Sequence, residues 1–414
     1  MKSKIQLLGP FTQLLPMSQL PTRGALKDSS IPIIEDGGLL VQGDRILDVG
    51  PYADLLNTEA GKQAEKITTT GELVVLPGMI DGHTHSCFAG SRARDYAMRN
   101  GGQSYLEIAA AGGGIWDTVT QTRKASLDVL RESLVSRCRH FATMGITTLE
   151  VKSGYGLNPE EELKMLQAID GAAEEVPQDL VATCLAAHMA PRDFSGSKTA
   201  YLDWIATELL PVVRDKNLAT RVDAFVEETA FSPEEIRPYL EKAAEMGFDL
   251  TVHADQFSTG GSEVAIACGA KSADHLEASG PREIELFAKS DTIPVALPGA
   301  SLGLGCAFTP ARQLLDAGAS LAIASDYNPG SAPMGDLLTQ AAILGTFEKL
   351  SNAEVLAGIT FRAAAALGLE DRGILDTGKR ADFIAFPTAD YREILYCQGQ
   401  LRPSKIWIAG EQVL

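Results

Sequence analysis

Hydrophobic positions follow two different patterns along the chain. Up to about residue 75, short apolar runs alternate with turn residues, and the C-terminal stretch has the same pattern. Each end supplies too few strands to bury a core by itself. The pattern therefore predicts one small β-sandwich domain built from both chain termini, residues 1–76 and 373–414.

The middle of the chain, residues 77–372, alternates short apolar strands with amphipathic helices. The clearest helices, 159–173 and 233–246, each have an early proline and acidic residues in the first turn. Eight strands separated by helices predict an α/β fold with a (β/α)8 TIM-like barrel rather than an open sheet. The predicted strands are 73–79, 147–151, 181–187, 222–227, 250–253, 272–275, 293–297 and 321–325.

The chain is acidic, with 36 Lys and Arg against 54 Asp and Glu and a formal net charge of −18. The long-range field of such a chain repels nucleic acid and anionic membrane surfaces, so neither is an expected partner. The same field also repels an anionic substrate. If the ligand is an anion, a local cation has to hold it.

Three features predict a cytoplasmic protein. The 6 cysteines are scattered without a C-x-x-C pair, which is typical of reduced thiols. The N-terminus carries Lys2 and Lys4, but polar residues and prolines interrupt the apolar stretch and no small-residue cleavage site follows. No apolar run approaches the ~18 residues that a membrane helix needs.

The 6 histidines are informative because of where they lie. His140 falls inside a predicted helix, which favours a structural or solvent-exposed role. The others stand at the C-terminal end of a predicted strand or a few residues beyond it, where the catalytic face of a barrel forms. They are His83, His85, His188, His253 and His275, and the eighth strand ends at Asp326.

His83-Thr84-His85 is an H-x-H motif at the end of a strand. Residues two apart in a strand point to the same side, so two imidazoles can chelate one ion. The motif alone is a weak signal. Its position directly after the N-terminal β region, with further histidines and an aspartate at later strand ends, predicts a metal site.

Residues 77–85, Pro-Gly-Met-Ile-Asp-Gly-His-Thr-His, closely resemble the first-strand motif of the amidohydrolase superfamily. Four further blocks resemble the imidazolonepropionase family, and most other amidohydrolases lack the last two. The blocks are 88–99 with Gly90 and Arg92, 104–118 with a triple glycine, 152–157 (Lys-Ser-Gly-Tyr-Gly-Leu) and 325–331 (Ser-Asp-Tyr-Asn-Pro-Gly-Ser). The resemblance extends from about residue 30 to the C-terminus, and residues 1–30 match poorly.

The resemblance implies that one zinc or iron ion is bound by His83, His85, His253 and Asp326. Imidazole and carboxylate ligands suit either metal. Asp326 would also take the proton from the attacking water and deliver it to the leaving nitrogen. A helix cap or a loop-turn residue is the alternative for Asp326. The fourth predicted strand ends without a lysine that could bridge two ions, which favours one ion.

The same family pattern implies catalytic and ring-binding roles for two more histidines. His275 would hydrogen-bond the attacked carbonyl or the nucleophilic water and stabilise the developing oxyanion. His188 would contact the substrate ring, with a satisfied core histidine as the alternative. Gln256, three residues after His253, would also recognise the ring.

The family's substrate, 4-imidazolone-5-propanoate, is a small anionic heterocycle, and opening its cyclic amide gives N-formimidoyl-L-glutamate. Arg92 is the implied cation for the propionate tail, although Arg94 and Arg99 nearby leave a surface role open. Tyr155 lies between two glycines that allow a tight loop to present its phenol inward, with a packed loop aromatic as the alternative. The implied contacts of the eighth loop are Asn328, Gly330 and Ser331.

Several assignments stay open at this stage. Tyr105 and the 112–114 loop are candidates for capping the pocket, and Glu227 is either an acceptor for a ligand histidine or a surface residue. Another amidohydrolase chemistry, deamination of an aminated heterocycle or opening of a hydantoin or dihydropyrimidine, is compatible with the metal motif. A catalytically silent binding protein on a barrel would have lost ligand positions, and all are present. The expected assembly is a homodimer.

Overall fold

Two separate eight-stranded sheets organise this computed structural model, which describes residues 4–414 apart from the side chains of residues 105, 106 and 109. One sheet gathers strands from both ends of the chain, and the other is a parallel barrel sheet. The predicted fold class, a (β/α)8 barrel with a β domain made from both termini, is confirmed. The domain boundaries at 76/77 and 372/373 stay a prediction.

Strands and helices alternate through the middle of the chain. The strands are β1 Ile5–Leu14, β2 Ile34–Gln42, β3 Arg45–Pro51, β4 Glu65–Thr68, β5 Val74–Pro77, β6 Met79–Asp81, β7 Ile146–Lys152, β8 Asp179–Ala187, β9 Arg221–Phe225, β10 Asp249–Ala254, β11 Ser272–His275, β12 Ile293–Ala296, β13 Ala322–Ile323, β14 Phe383–Phe386, β15 Lys405–Ile408 and β16 Glu411–Gln412. The α-helices are α1 Tyr52–Asn57, α2 Glu59–Gln63, α3 Ala93–Asn100, α4 Tyr105–Ala110, α5 Ile115–Lys124, α6 Leu127–Thr143, α7 Pro159–Ala173, α8 Lys198–Glu208, α9 Leu210–Asp215, α10 Pro233–Glu245, α11 Gly261–Ala267, α12 Pro281–Ala288, α13 Pro298–Leu304, α14 Ala311–Asp316, α15 Leu337–Glu348, α16 Asn352–Gly358, α17 Phe361–Ala366 and α18 Arg392–Tyr396. Among the described residues, none of these helices is long and apolar enough to cross a bilayer.

The two ends of the chain are joined at β5. This strand pairs in parallel with β1, where Gln13 faces Val74, and antiparallel with β14 on its other side. The core of this terminal β domain is apolar, and Phe383 stacks on Trp407 with ring centroids 4.5 Å apart. A fully buried aromatic side chain stabilises the fold by about 1.5–3 kcal/mol relative to leaving it exposed.

The barrel sheet runs in chain order from β6 to β13, and its two edge strands meet just beyond their C-terminal ends. Thr84 forms an isolated parallel bridge with Tyr327. The His85 amide donates to Tyr327 O at 2.8 Å, and the Asp326 amide donates to His83 O at 3.1 Å. This closure brings the H-x-H motif next to Asp326.

Most predicted elements of the barrel match the structure. Strand 272–275 is β11 and helix 159–173 is α7, both with the predicted bounds, and α10 ends one residue before the predicted 246. Helix α7 begins where the Asn158 side chain accepts a hydrogen bond from the Glu161 amide, which satisfies a free donor of the first turn. His140 lies in α6, as predicted.

The prediction of one strand over 73–79 was wrong. The chain forms two strands there, β5 in the terminal domain and β6 in the barrel. A Cβ at Gly78, between them, would lie 2.2 Å from Thr147 Oγ1, so the chain crosses from one sheet to the other where only glycine fits. The apolar run is continuous across Gly78, and the pattern alone therefore shows no break.

Candidate metal centre and active site

Four side chains from three strands converge at the C-terminal end of the barrel. His83 and His85 follow β6, His253 lies in β10 and Asp326 follows β13. His253 Nε2 lies 3.2 Å from His85 Nε2, while Asp326 Oδ1 lies 3.6 Å from His83 Nε2 and 3.5 Å from His85 Nε2. None is more than 3% exposed. The structure therefore brings together the residues that the sequence proposes as metal ligands.

This cluster has the chemistry of a site for one metal ion. His83 Nε2 and Asp326 Oδ1 are buried without a hydrogen-bond partner among the described residues. Ligand atoms about 2.1 Å from one tetrahedral ion lie about 3.4 Å apart, close to the separations found here. Burial lowers the pKa of His83 and His85 well below the ordinary value and that of His253 to about 3. The imidazoles are therefore neutral, the form that binds a metal.

Carboxylates behind the cluster orient two of these imidazoles. His83 Nδ1 lies 2.6 Å from Asp274 Oδ2, and His253 Nδ1 lies 2.9 Å from Asp223 Oδ2. A carboxylate at Nδ1 fixes the tautomer that leaves Nε2 free for the shared centre. Neither aspartate was predicted from the sequence, although each lies in a fully buried or nearly fully buried barrel strand, β9 or β11.

Lys152 connects this layer of carboxylates. Its Nζ lies 2.7 Å from Glu150 Oε1 and 2.9 Å from Asp223 Oδ2, and all three side chains are at most 1% exposed. Burial favours the neutral amine, but Asp223 and Glu150 outweigh it and raise the pKa of Lys152. Glu150 and Lys152 alternate with apolar residues in β7, and that period of two was the available signal for inward-facing charges.

Asp326 and His275 both have left-handed backbone conformations, with φ of +53° and +87°. Such strain in non-glycine residues costs of the order of 1–3 kcal/mol each and is concentrated at functional sites. Burial raises the pKa of Asp326 to about 7. Burial lowers the pKa of His275, but Glu277, whose Oε1 lies 3.5 Å from His275 Nδ1, outweighs it and raises that pKa above the ordinary value. His275 has a ligand atom within 4.8 Å of those of His83 and Asp326.

His188 and Tyr155 lie together beside His85. Their rings are 5.6 Å apart, and the His188 ring stacks on His85 at 5.4 Å. His188 Nδ1 lies 3.0 Å from Gly154 O, an oxygen that only accepts, so Nδ1 carries the hydrogen and Nε2 remains an acceptor. Burial lowers the pKa of His188 to about 4, which keeps the ring neutral.

Arg92, in the loop after β6, is close enough to Tyr155 to affect the pKa of its hydroxyl group. Burial and Asp326 raise the pKa of Tyr155, and Arg92 lowers it. The Arg92 side chain is 12% exposed, and its Nε forms an ion pair with the buried Asp95. Arg94 is exposed, and Arg99 Nη2 donates to Gly330 O at 3.4 Å. Asp95, which the sequence reasoning missed, therefore orients Arg92.

The loop after β13 is organised by Asn328. Its Oδ1 accepts from the amides of Gly330 and Ser331, both at 2.8 Å, and its Nδ2 donates to Asp326 O at 2.7 Å. A Cβ at Gly330 would lie 3.1 Å from Arg92 Nη1, so this glycine lets the guanidinium approach the loop. The side chain of Asn328 holds the loop together, and its contact with substrate stays a prediction.

The loop after β10 carries Gln256, which is half-buried. Glu227 holds the next residues: its Oε2 accepts from the amides of Phe257 at 2.8 Å and Ser258 at 3.2 Å. Glu227 is 4% exposed, so the surface alternative is wrong, and its carboxylate supports a loop rather than a ligand histidine. The side chain of Tyr105 lies outside the described residues.

The barrel and the histidine–aspartate cluster define a class, and comparison with known proteins gives the same class. The model of the Amidohydrolase family matches residues 74–413, so the chain is an amidohydrolase. An atrazine chlorohydrolase from Arthrobacter aurescens, solved with zinc, shares the fold at a TM-score of 0.73 and 18% identity, covering 99% of this chain and 95% of that one.

Relatives of higher identity narrow the class. Imidazolonepropionase from Bdellovibrio bacteriovorus is 40% identical over 94% of this chain and 91% of its own length. The enzyme of that name from Erwinia tasmaniensis is 42% identical over 92% of this chain and 94% of its own length. A model described as the imidazolonepropionase-like composite domain of bacteria matches residues 37–57. The chain belongs to the imidazolonepropionase family.

Proposed function

We propose that this protein hydrolyses the ring amide C–N bond of 4-imidazolone-5-propanoate and releases N-formimidoyl-L-glutamate, a step of histidine degradation. The observation that carries the proposal is the meeting of three neutral histidines, Asp326 and a largely buried arginine, Arg92, at one end of the barrel. Membership of the imidazolonepropionase family at about 40% identity over most of the chain supports it.

The proposed cofactor is one zinc or iron ion per chain, held by His83, His85, His253 and Asp326. A metal ion in such a site supplies a water that is acidic enough to attack at neutral pH. Asp274 and Asp223 keep the Nε2 atoms of His83 and His253 available by holding the opposite ring nitrogens. Metal analysis of the purified protein tests whether this ion is zinc or iron.

Asp326 is the proposed proton carrier. It takes a proton from the attacking water as the C–O bond forms, and delivers it to the ring nitrogen as the C–N bond breaks. A carboxyl group whose pKa is raised to about 7 by burial can exist in both protonation states near neutral pH. The net reaction adds one water and leaves Asp326 unchanged.

His275 is proposed to stabilise the charge that develops on the carbonyl oxygen. Its raised pKa favours the protonated imidazole, and Glu277 orients it through Nδ1. The Nε2–H then donates to the oxyanion, an interaction that strengthens in the transition state.

Substrate recognition is proposed to have two parts. His188 Nε2 accepts from a ring N–H, while Gln256 and the Tyr155 hydroxyl, protonated because its pKa is raised, complete the ring contacts. Arg92 binds the propionate with Gly330 and Ser331 of the eighth loop, which overcomes the repulsion from the chain's net charge of −18.

The test follows the ultraviolet absorbance of imidazolone propionate, generated in situ, with metal-loaded and chelator-stripped protein. Metal-dependent loss of absorbance with appearance of formiminoglutamate is the expected result. A rate no higher than the spontaneous one, from protein shown to contain metal, would overturn the proposal. A panel of aminated heterocycles, hydantoins and dihydropyrimidines then identifies the alternative amidohydrolase reaction.

The cellular setting is part of the proposal. A cytoplasmic location is supported by unpaired cysteines, three of them fully buried with thiol pKa values raised to about 12, namely Cys87, Cys138 and Cys184. Cell fractionation tests this location. A homodimer is proposed because two-fold dimers are the commonest oligomers, and light scattering of the purified protein measures its mass.

A further inference from the structure

Residues 153–157, which we call the Tyr155 loop, have a backbone conformation that other contacts must stabilise. Gly154 has φ of +105°, and Leu157, which is fully buried, has φ of +54°. A non-glycine residue such as Leu157 is strained in this left-handed region. At Gly156, a Cβ would lie 2.4 Å from the amide nitrogen of Glu162, so the loop packs directly on the start of α7.

One carboxylate holds this loop from inside. Glu162 Oε1 accepts from the amides of Gly156 and Leu157, both at 2.7 Å, and Oε2 accepts from the Gly154 amide at 3.0 Å. Glu162 is fully buried in the first turn of α7, where the helix dipole favours a negative charge. Burial raises the pKa of Glu162 above its ordinary value, although the Ser153 hydroxyl and the three amides favour the carboxylate.

The loop also determines the state of His188. The Gly154 carbonyl accepts from His188 Nδ1 at 3.0 Å, so the same residue whose N–H donates to Glu162 also fixes which ring nitrogen of His188 is free. On the outer side, Arg123 Nε donates to Gly156 O at 2.7 Å. Two ring-facing residues therefore depend on one buried carboxylate that faces the loop and not the centre of the site.

We propose that Glu162 is a positioning residue for the substrate ring: by holding three amides of the Tyr155 loop it sets where Tyr155 and His188 meet that ring. The inference rests on the proposed function, in which these two residues recognise the ring. Glu162 does not touch the substrate, and its effect is on substrate binding. Residues 153–157 are buried, so their amides need an acceptor from the protein rather than from water, and Glu162 supplies it.

Glu162→Gln tests the proposal because it keeps the size of the side chain. Its amide group replaces one acceptor oxygen, so an N–H donor then faces a backbone N–H. We expect KM to rise about tenfold or more while kcat changes much less, the result of lost ground-state binding. A purely structural role would lower the active fraction and leave KM unchanged.

Glu354→Gln is the matched control. Glu354 is also a buried glutamate that accepts from backbone amides, those of Leu26 and Ser351, none of them in the site. Its substitution should lower Tm without changing KM. If Glu162→Gln does not fold, Glu162→Gln with Leu157→Gly is measured, because glycine adopts φ near +54° without strain.

The interaction with His188 gives a second measurement. In a His188→Ala background, Glu162→Gln should raise KM by much less than it does in the wild type, because the two act on the same ring contact. A folded Glu162→Gln enzyme with wild-type KM would overturn the inference while leaving the proposed function intact. Failure of the wild type to hydrolyse the imidazolone overturns the proposed function instead, before any variant is compared.

Discussion

The barrel interior beneath the site and the core of the terminal β domain are equally buried but are built from opposite kinds of side chain. In the barrel, Glu150, Lys152, Asp223 and Asp274 are at most 1% exposed. In the terminal domain, the buried side chains are mainly hydrophobic, and Asp382, at 4% exposure, is the buried carboxyl group among the described residues. Apolar burial stabilises a fold by about 25 cal/mol per Å2, whereas buried charges cost stability unless they are paired. The difference indicates that the barrel interior is organised to orient imidazoles, and that the terminal domain contributes stability.

Charge makes the contrast stronger. The network below the metal cluster contains three carboxylates, Glu150, Asp223 and Asp274, around Lys152. Burial would raise the pKa of Asp223, but His253 and Lys152 hold it well below its usual range, and burial raises that of Asp274 to about 6. With Asp326 above them, negative groups outnumber the lysine. A metal cation is therefore the natural complement of this interior.

The sharpest test of the contrast is Asp326→Asn. We expect kcat to fall by about three orders of magnitude or more, because the amide can neither accept nor deliver the proton. The metal-free variant should be at least as stable as the metal-free wild type, since it loses a buried carboxylate whose pKa is raised. Steady-state kinetics at matched metal content and thermal melts measure the two effects.

Asp128→Asn, at an exposed carboxylate on α6, is the control and should change neither quantity. Near-normal kcat in Asp326→Asn would refute the assigned proton carrier. A large loss of stability without metal would mean that the carboxylate is a structural group, and the two interiors would then differ less than we conclude.

The converse test lies in the terminal domain. Phe383→Ala removes a fully buried ring that stacks on Trp407, and we expect a loss of about 3–5 kcal/mol in the free energy of unfolding. Activity per folded molecule should stay the same. Phe383→Leu, which keeps most of the volume, should lose much less. Urea unfolding and active-fraction kinetics measure both, and a fall in kcat of the folded protein would show that this domain shapes the site.

Arg92→Ala probes the rim of the site, where charge is neither fully buried nor exposed. We expect KM for the imidazolone to rise about 10- to 100-fold with a small change in kcat, because a charge-assisted contact to the tail is lost in ground and transition states alike. Arg94→Ala, two residues further along the chain, in α3 and exposed, is the control. Equal effects of the two substitutions would indicate general electrostatic attraction rather than a specific contact.

The sequence predicted the positions of chemistry better than the connections that support it. Histidines at strand ends are visible because barrel geometry places every strand end on one face. Helix α7 was predicted with its observed bounds because Pro159 and the acidic residues of the first turn mark its start, and the bounds of β11 were also predicted as observed. The break at Gly78 was not visible, since it depends on which sheet each half of a continuous apolar run joins.

The supporting carboxylates were missed for a different physical reason. Asp274 and Glu162 act through atoms that are distant in sequence or that belong to the backbone, His83 Nδ1 in one case and three amides in the other. In the sequence, Glu162 resembles any acidic residue in the first turn of a helix. Only the fold shows that it is buried and faces the Tyr155 loop.

The smallest expected effect concerns Asp382, a carboxylate with a strongly shifted pKa beside the apolar core of the terminal domain. Burial raises its pKa to about 6, although Arg380 and the Ala409 amide favour the charged form. Because the folded pKa lies above the ordinary value of 3.8, the contribution of Asp382 to stability is present at pH below about 4 and is lost as pH rises through about 6.

Asp382→Asn removes this dependence of stability on pH. We therefore expect the Tm difference, variant minus wild type, to increase by a few degrees between pH 4 and pH 7. Melts of the metal-loaded proteins across that range measure it. A difference that stays constant with pH would mean that Arg380 keeps Asp382 charged throughout, and that paired charge is tolerated in both interiors.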